Sequence, residues 1–351
     1  MSPIRKIAAL ALACVLLLTT GIVTALAAGN TKTVQLLCYN VAGLPSISGL
    51  MGLENTDVPG NQRQLGKLLN TENYDIIAVQ EDFGYHVLLS AGLTNYPYKT
   101  RHSGGIPGGD GMNIFSRFPI YNVKRVPWEK ASGVFNDGDE LTPKGILYSV
   151  LDLGDGIYVD LYDIHADAFG DDASVAARND NFRQLAAMID GKNSDRPVII
   201  TGDFNTSSHL SDGDAFTSYM IEEGNFKDAW TELYNNGDYQ NYSGYGVQDY
   251  WGIWDSVEKV LYRSSDGVEV NVTSFDYVDF TNTDNVSISD HMAAGATLTF
   301  TKTDAFSENT ECLHVMHGDY HNSLLVKILV ILKDLRIILS HLEDLTGLIK
   351  S

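Results

Sequence analysis

An acid and an amide stand two positions apart where one apolar run ends, in the stretch VIITGDFNT that spans residues 198 to 206. Side chains along a strand alternate between its faces, so Asp203 and Asn205 are expected to point the same way. Burying an unpaired carboxylate is costly, and Asp203 is therefore expected to meet a cation or a hydrogen-bond donor. The alternative is an Asx-type turn at a strand end, and this stretch alone does not separate the two interpretations.

Polar residues also end or precede four other apolar runs that are predicted strands. They are Asn40 after VQLLCY, Glu81 after DIIAVQ, His165 after IYVDLYDI, and the pair Asp290 and His291 before AGATLTF. Each of them alone is compatible with a cap, a solvated end or a structural histidine. Because chance would scatter such groups along loops and helices, five strands that stop or start on them indicate a shared site.

These residue types favour hydrolysis of a phosphoester. Carboxylate and amide oxygens form a hard ligand set that suits Mg²⁺, Mn²⁺ or Ca²⁺ rather than zinc, and here they belong to Glu81, Asp203, Asp290, Asn40 and Asn205. Two histidines beside such an ion can bind a phosphoryl group or transfer a proton near neutral pH. The sequence contains no G-x-S-x-G, and Cys38 lies in an apolar run, so a serine or cysteine nucleophile is not indicated.

The elements that must position these residues are short β-rich runs interspersed with helical patterns. Strands are predicted over residues 34–41, 75–80, 111–116, 146–153, 157–165, 197–204, 259–263 and 294–300. Helices are predicted over residues 61–70 and 174–191. This order is typical of a layered α/β sandwich with largely antiparallel sheets.

Both ends of the chain differ from this pattern. Residues 1–27 combine Arg5 and Lys6 with an apolar stretch and end on Ala-Leu-Ala, which predicts a signal peptide and export; an uncleaved membrane anchor is the alternative. Residues 28–303 are the predicted catalytic domain. The extension over 304–351 contains an amphipathic pattern at 324–350, which packs on the domain, self-associates or lies on a membrane surface.

The charge and the cysteines limit the partners and the redox chemistry. The formal net charge is −21, which counts against loose, sequence-independent binding of nucleic acid. An exported chain could join Cys38 to Cys312, whereas a buried free thiol is equally consistent with the apolar run around Cys38.

Six motifs occur in an order that resembles the endonuclease/exonuclease/phosphatase superfamily of deoxyribonuclease-I-like proteins. They are LLCYNVAGLP, DIIAVQEDF, GMNIFSRFPI, LYDIHADA, VIITGDFNT and ISDHMAAGA, and the resemblance covers residues 33 to 303. It implies a four-layer sandwich in which two mainly antiparallel β-sheets pack face to face and are flanked by helices.

The resemblance also implies roles for the site residues. Glu81 would bind the catalytic Mg²⁺, with Asn40 beside it and Asp290 next to the metal or its water. Asp203 and Asn205 would position the attacking water, His291 would be the general acid or base, and His165 would bind phosphoryl oxygens. In SVEKVLYR, Glu258 stands where the family usually has an aspartate that orients the histidine, and Asp255 is a rival for that role.

Three substrate classes are compatible with such a site. A nuclease needs a basic groove, and no cluster of Lys and Arg is seen. A phosphomonoesterase needs a cationic pocket, to which Arg101, His102, Arg117 and Lys130 could contribute. A lipid phosphodiesterase needs membrane contact, which either the aromatic patch of Tyr250, Trp251 and Trp254 or the 324–350 helix could supply. We favour a secreted phosphodiesterase of the neutral sphingomyelinase type over a nuclease, a phosphomonoesterase and a non-catalytic binding module on the same scaffold.

Overall fold

The computed structural model describes residues 30–44, 57–105, 109–132, 143–192, 195–206, 214–241, 246–249, 252 and 255–307. Within these ranges the chain forms two six-stranded sheets. The strands are β1 (Thr31–Asn40), β2 (Ile76–Gln80), β3 (Tyr98–Lys99), β4 (Asn113–Ser116), β5 (Ile120–Pro127), β6 (Gly145–Asp152), β7 (Tyr158–His165), β8 (Val198–Asp203), β9 (Lys227–Asp228), β10 (Glu258–Arg263), β11 (Val268–Val278) and β12 (Ala293–Lys302).

Helices connect several of the strands. They are α1 (Val58–Thr71), α2 (His86–Gly92), α3 (Asp172–Asp190), the short α4 (Asp214–Phe216), which continues as a π-helical segment over Thr217–Glu223, and α5 (Ala229–Tyr234). The sequence patterns predicted α1 and α3 but missed α2, α4 and α5 and, among the longer strands, β5 and β11. Both of these strands carry polar residues on exposed positions and contain an irregularity in register, which obscures their alternation.

Among the described residues, the core consists of three apolar clusters, which lie between four layers. The even-numbered side chains of β1, among them Leu36 and Cys38, lie between the sheets in the same buried cluster as Leu161 of β7. The odd-numbered side chains of β1, such as Leu37, contact α1 and α2 on the outer face. Helix α3 covers the outer face of the second sheet through side chains such as Phe182. The four-layer α/β sandwich expected from the sequence is therefore confirmed.

Strand topology brings the predicted site residues to one edge. The sheets have the orders β11-β12-β1-β2-β4-β3 and β5-β6-β7-β8-β10-β9. Each sheet is antiparallel except for one central parallel pair, β1 with β2 and β7 with β8. Asn40, His165 and Asp203 occupy the last positions of their strands, and Glu81 directly follows β2. Strands β10 and β12 run antiparallel to β8 and β1, so Glu258 and His291 enter at the same edge.

Several sequence predictions fall outside the described residues. These are the signal peptide at 1–27, the aromatic patch of Tyr250, Trp251 and Trp254, the helix at 324–350, and Cys312. Cys38 is fully buried and has no disulfide partner in the described part of the chain, so its pairing with Cys312 stays an open alternative. In the same ranges, no helix combines the length and the hydropathy needed to cross a membrane.

Candidate active site

His291 and Glu258 form a hydrogen-bonded pair at this edge. The imidazole Nδ1 donates to Glu258 Oε1 and also lies 4.0 Å from Asp203 Oδ2. Burial opposes the charged imidazole, but Glu258 and then Asp203 outweigh it and raise the pKa of His291 well above its ordinary value. His291 is therefore held in the charged form, which can donate a proton to a leaving group.

Asn40 connects the carboxylates of the two sheets. Its Nδ2 lies 3.0 Å from Glu81 Oε1 and 3.0 Å from Asp203 Oδ2, and 3.5 Å from His291 Nε2. Its Oδ1 accepts the N–H of Ala42 at 3.1 Å. In this orientation Asn40 is a donor that bridges two carboxylates, and its oxygen is used by the backbone.

Asp203 takes part in both a turn and the site. Asn205 N–H donates to Asp203 Oδ1 at 2.9 Å, the contact of an Asx turn, and Asn205 has a left-handed φ of 51°. Strand β8 ends at Asp203, so the period-two rule does not extend to Asn205, whose Nδ2 donates to Ala166 O at 3.1 Å. The other oxygen, Asp203 Oδ2, faces Asn40 and His165. Asp203 therefore forms an Asx turn through one oxygen and contacts other candidate site residues through the other.

His165 contacts the same carboxylate as His291. Its Nε2 lies 3.5 Å from Asp203 Oδ2, and its backbone carbonyl accepts the indole N–H of Trp128 at 2.6 Å. Burial, reinforced by the positive charges of Lys144 and His291, lowers the pKa of His165 well below its ordinary value. One histidine beside Asp203 is thus neutral and the other charged, a separation typical of acid–base sites.

Glu81 lies beside a buried lysine that the sequence patterns did not single out. Burial raises the pKa of Glu81, while the hydrogen bond from Asn40 and the charge of Lys144 act in the opposite direction. Lys144 is only 8% exposed, and its Nζ donates to Ala166 O at 3.4 Å. A single lysine before a strand carries no periodic signal, so only the fold reveals that this positive charge acts on both Glu81 and His165.

Two serines that the sequence reasoning missed also fix the site. Ser289 Oγ donates to the Asn40 carbonyl at 2.7 Å and accepts the His291 N–H at 3.1 Å. Ser256 Oγ lies 3.4 Å from Glu258 Oε2. Both serines hold residues that the sequence did identify, and such contacts between distant segments depend on the fold.

The carboxylates at this edge fit a hard divalent cation. Glu81 and Asp203 share one amide nitrogen, so two acidic groups lie close together, and burial raises the pKa of Glu81. Asp203, Glu258 and His291 also offer ligand atoms within 4.8 Å of one another, although His291 and Glu258 are already paired. Asp290 is exposed next to His291. The oxygen-rich set suits Mg²⁺, Mn²⁺ or Ca²⁺, and Glu81 and Asp203 are the two carboxylates that contact the Asn40 amide.

Glu258, and not its rival Asp255, contacts the histidine. Asp255 instead hydrogen-bonds Lys259 Nζ in a buried cluster whose third member is Asp228, 3.8 Å from the same nitrogen. The two acids are three positions apart in sequence, and the antiparallel register that pairs Glu258 with Asp203 decides between them.

This contrast predicts different phenotypes for the two acids. Glu258→Gln should lower kcat by about 10²-fold or more, because an analogous carboxylate–histidine pair in other hydrolases has effects of this order. It should also shift the pH–rate profile to lower pH, since Glu258 raises the pKa of His291. Asp255→Asn should instead cost roughly 3–5 kcal/mol of unfolding free energy by breaking a buried ion pair. If Glu258→Gln and Asp255→Asn lowered kcat equally when compared at the same concentration of folded protein, the assignment of Glu258 as the partner of His291 would be contradicted.

Two of the residues considered for a cationic phosphate pocket have structural partners. Arg117 Nη1 lies 3.3 Å from Asp75 Oδ1. His102 is buried, and its Nε2 lies 2.9 Å from the Asp82 carbonyl oxygen. Arg101 and Lys130 are exposed. The hydrogen bonds of Arg117 and His102 thus support the fold around β2 and β4.

Burial of His102 is expected to make the fold less stable in acid. Burial, followed by the charge of His86, lowers its pKa to about 4. An unfolded histidine titrates near 6.5, so the unfolded chain binds the extra proton between these values and stability falls as the pH drops through this window. The shift corresponds to about 3 kcal/mol. Urea unfolding measures the free energy of unfolding at pH 7 and at pH 4.5. Between these two pH values it should fall less for His102→Gln than for the wild type, and an equal fall in both proteins would contradict this prediction.

Comparison with known proteins identifies the family. A sequence profile of the Endonuclease/Exonuclease/phosphatase family matches residues 37–291, which include every candidate site residue from Asn40 to His291. The chain belongs to this family, as its motifs predicted.

Among curated proteins, sphingomyelinases of Mycobacterium bovis and Mycobacterium tuberculosis are 29% identical to it over 283 residues, which are 76% of this chain and 54% of theirs. The inositol phosphosphingolipids phospholipase C of Saccharomyces cerevisiae is 30% identical over 179 residues, 48% of this chain and 36% of the yeast protein. The chain thus spans about half the length of the mycobacterial relatives.

Solved structures share the fold at lower identity. Sphingomyelinase C from Streptomyces griseocarneus has a TM-score of 0.52 at 20% identity, covering 76% of this chain and 99% of that one. Beta toxin from Staphylococcus aureus has a TM-score of 0.54 at 18% identity, covering 75% and 99%. At these identities the likeness establishes the fold alone.

Proposed function

We propose that the chain is an exported, divalent-metal-dependent phosphodiesterase that uses activated water to hydrolyse a head-group bond of a sphingomyelin-type phospholipid. The observation that carries this proposal is the convergence of Asp203, the His291–Glu258 pair and the Asn40–Glu81 pair at one edge of the two sheets. Membership of the family and the names of the curated relatives support the reaction class and the lipid substrate.

The residues divide the chemistry between them. The carboxylate of Asp203 acts as a hydrogen-bond acceptor, so it orients the attacking water and takes a proton from that water. The Asn205 N–H fixes the rotation of the Asp203 carboxylate. His291 enters the reaction charged and donates a proton to the leaving oxygen, while Glu258 keeps its ring in place. His165 is neutral and offers an N–H to a phosphoryl oxygen, and Lys144 adds positive charge on that side.

Glu81 would hold the cation, Mg²⁺ in the first instance, with Asp290 close to its water shell and Asn40 positioning the carboxylate. When bound, the ion would neutralise negative charge on the phosphoryl oxygens. The protein's own contribution is to present Glu81 in one fixed orientation beside Asp203, which the Asn40 amide achieves through two 3.0 Å contacts.

The limits of the domain and its environment are part of the same proposal. Residues 28–303 would form the catalytic domain, consistent with strands that run from Thr31 to Lys302, and residues 1–27 would direct export. Contact with the lipid surface would come from the patch of Tyr250, Trp251 and Trp254 or from the 324–350 helix. The net charge of −21 favours a lipid over a polyanionic nucleic acid.

A substrate panel tests the proposal. Purified protein in Mg²⁺ or in EDTA is incubated with sphingomyelin vesicles, phosphatidylcholine vesicles, supercoiled DNA and soluble phosphomonoesters. We expect release of the phosphorylated head group from sphingomyelin only in Mg²⁺. Nicking of DNA without lipid turnover would replace the lipid assignment with a nuclease, and no turnover of any substrate would favour a binding module.

A further inference from the structure

Asp82 directly follows Glu81, and its backbone and carboxylate groups are held by four hydrogen bonds. Its N–H donates to Gly111 O at 2.8 Å, and its carbonyl oxygen lies 2.9 Å from His102 Nε2. Its Oδ2 accepts from His86 Nδ1 at 2.5 Å and from Asn113 Nδ2 at 2.9 Å. His102 Nε2 faces a carbonyl oxygen and His86 Nδ1 faces a carboxylate oxygen. Because both oxygens accept hydrogen bonds, both of these ring nitrogens must act as donors.

These contacts fix a backbone conformation that a glutamate rarely adopts. Glu81 has a left-handed φ of 57°. Such conformations persist only where the surroundings determine them, and they occur often at functional sites. The Glu81 carbonyl accepts the N–H groups of Gly43 at 3.0 Å and Phe83 at 2.9 Å, so both sides of the Glu81–Asp82 peptide are anchored.

Close packing supports the same turn. Gly111 has a φ of 67°, and a Cβ there would come within 3.1 Å of Glu81 Cα and 2.7 Å of the Phe83 ring. A Cβ on Gly43 would lie 2.6 Å from the Glu81 carbonyl oxygen. The turn that presents Glu81 is therefore enclosed by two glycines and the hydrogen bonds around Asp82.

A metal ion held by Asp82, His86 and His102 is the competing explanation, because their ligand atoms lie within 4.8 Å of one another. The geometry disfavours it. The two imidazole rings are stacked, with centroids 4.3 Å apart and planes inclined by only 14°. Ring nitrogen lone pairs lie in the ring planes, so nearly parallel stacked rings do not direct them at a common ion. The nitrogens facing Asp82 are also already used as donors.

We propose that Asp82, His86 and His102 are positioning residues that lock the turn at Glu81 and so set the affinity of the active site for its divalent cation. This inference rests on the proposed role of Glu81 as a metal ligand. Partners that orient a ligand from outside the coordination sphere typically contribute roughly 10–100-fold to metal affinity or activity.

The test compares two substitutions of one residue in the full chain. His102→Phe keeps a ring to stack on His86 but removes the donor to the Asp82 carbonyl. His102→Gln restores a donor, because the amide nitrogen of glutamine can take the place of the imidazole Nε2. Leu185→Ala in α3 is a control for general destabilisation, since Leu185 is buried against the second sheet on the other side of the sandwich. Calorimetric titrations with MgCl₂, and separately with ZnCl₂ and MnCl₂, and thermal unfolding are measured for each protein.

We expect His102→Phe to raise the dissociation constant for Mg²⁺ by about tenfold or more, and His102→Gln to restore it to within about threefold of the wild-type value. Leu185→Ala should lower the melting temperature without changing Mg²⁺ affinity. If His102→Phe does not fold, His86→Phe and the donor-keeping His86→Asn provide the same comparison. Unchanged Mg²⁺ affinity in the donor-free variants would overturn this inference and leave the proposed function intact. If the wild type bound a second equivalent of Zn²⁺ or Mn²⁺ tightly and both His102 variants lost this binding, the inference would be overturned in favour of a metal site at Asp82, His86 and His102.

A wild-type protein that binds no Mg²⁺ and keeps full activity in EDTA would instead overturn the proposed function, and this inference with it.

Discussion

Replacing His291 with alanine is expected to lower kcat by roughly 10²–10⁴-fold, the range that general acid–base catalysis supplies. The reason is that His291 is held charged by Glu258 and Asp203 and faces the Asn40 amide that joins the carboxylates. The loss should appear in kcat more than in KM, because the transferred proton matters most in the transition state. Steady-state kinetics on sphingomyelin vesicles in saturating Mg²⁺ measures it.

A double-mutant cycle provides the control for this prediction. If Glu258 acts through His291, then Glu258→Gln should cost little further activity once His291 is alanine. Additive losses would show that Glu258 acts independently of the imidazole. Near-normal turnover of a folded His291→Ala protein would remove His291 from the reaction altogether.

Replacing Glu81 with glutamine is expected to weaken Mg²⁺ binding by more than the roughly 10–100-fold that loss of an outer partner costs, and to abolish activity at millimolar Mg²⁺. Glutamine preserves the size and the hydrogen bond to Asn40 but removes the negative charge beside Asp203. Removing a partly buried carboxylate whose pKa is raised by burial should leave the protein as stable as before or more so.

Glu269→Gln is a matched control, because it is the same glutamate-to-glutamine substitution at an exposed position of β11. It should retain wild-type Mg²⁺ affinity and activity. If Glu81→Gln binds Mg²⁺ as tightly as this control does, the cation is held elsewhere, and Asp203 with Asp290 becomes the next set to test.

The sequence predicted which residues of the candidate site would lie close together, because they stand at strand ends, where apolar runs stop. Asn40, Glu81, His165 and Asp203 follow runs that are buried in the structure, and the two parallel strand pairs bring them together. Parallel strands present their carboxyl ends at the same edge of a sheet, so residues distant in sequence meet there. For these residues the pattern contained the necessary information.

Other parts of the site depend on register and on distant contacts, which no local pattern encodes. The choice between Glu258 and Asp255 follows from the pairing of Glu258 with Asp203 across β10 and β8. The importance of Lys144 depends on the effect of its charge on the pKa values of Glu81 and His165, which lie far from it in the sequence. The interpretation of VIITGDFNT was incomplete for the same reason, since one oxygen of Asp203 fixes a turn while the other faces the site.

The most direct test of the central claim, a metal-dependent phosphodiesterase site built around Asp203, is head-group release from sphingomyelin by the wild type and Asp203→Asn. Each protein is assayed in EDTA and after restoring Mg²⁺. We predict that wild-type activity is lost in EDTA and returns with Mg²⁺, whereas the activity of folded Asp203→Asn stays at least about 10²-fold below that of the Mg²⁺-restored wild type even after Mg²⁺ is added. Wild-type turnover that persists in excess EDTA, or an Asp203→Asn protein as active as the wild type, would contradict the claim.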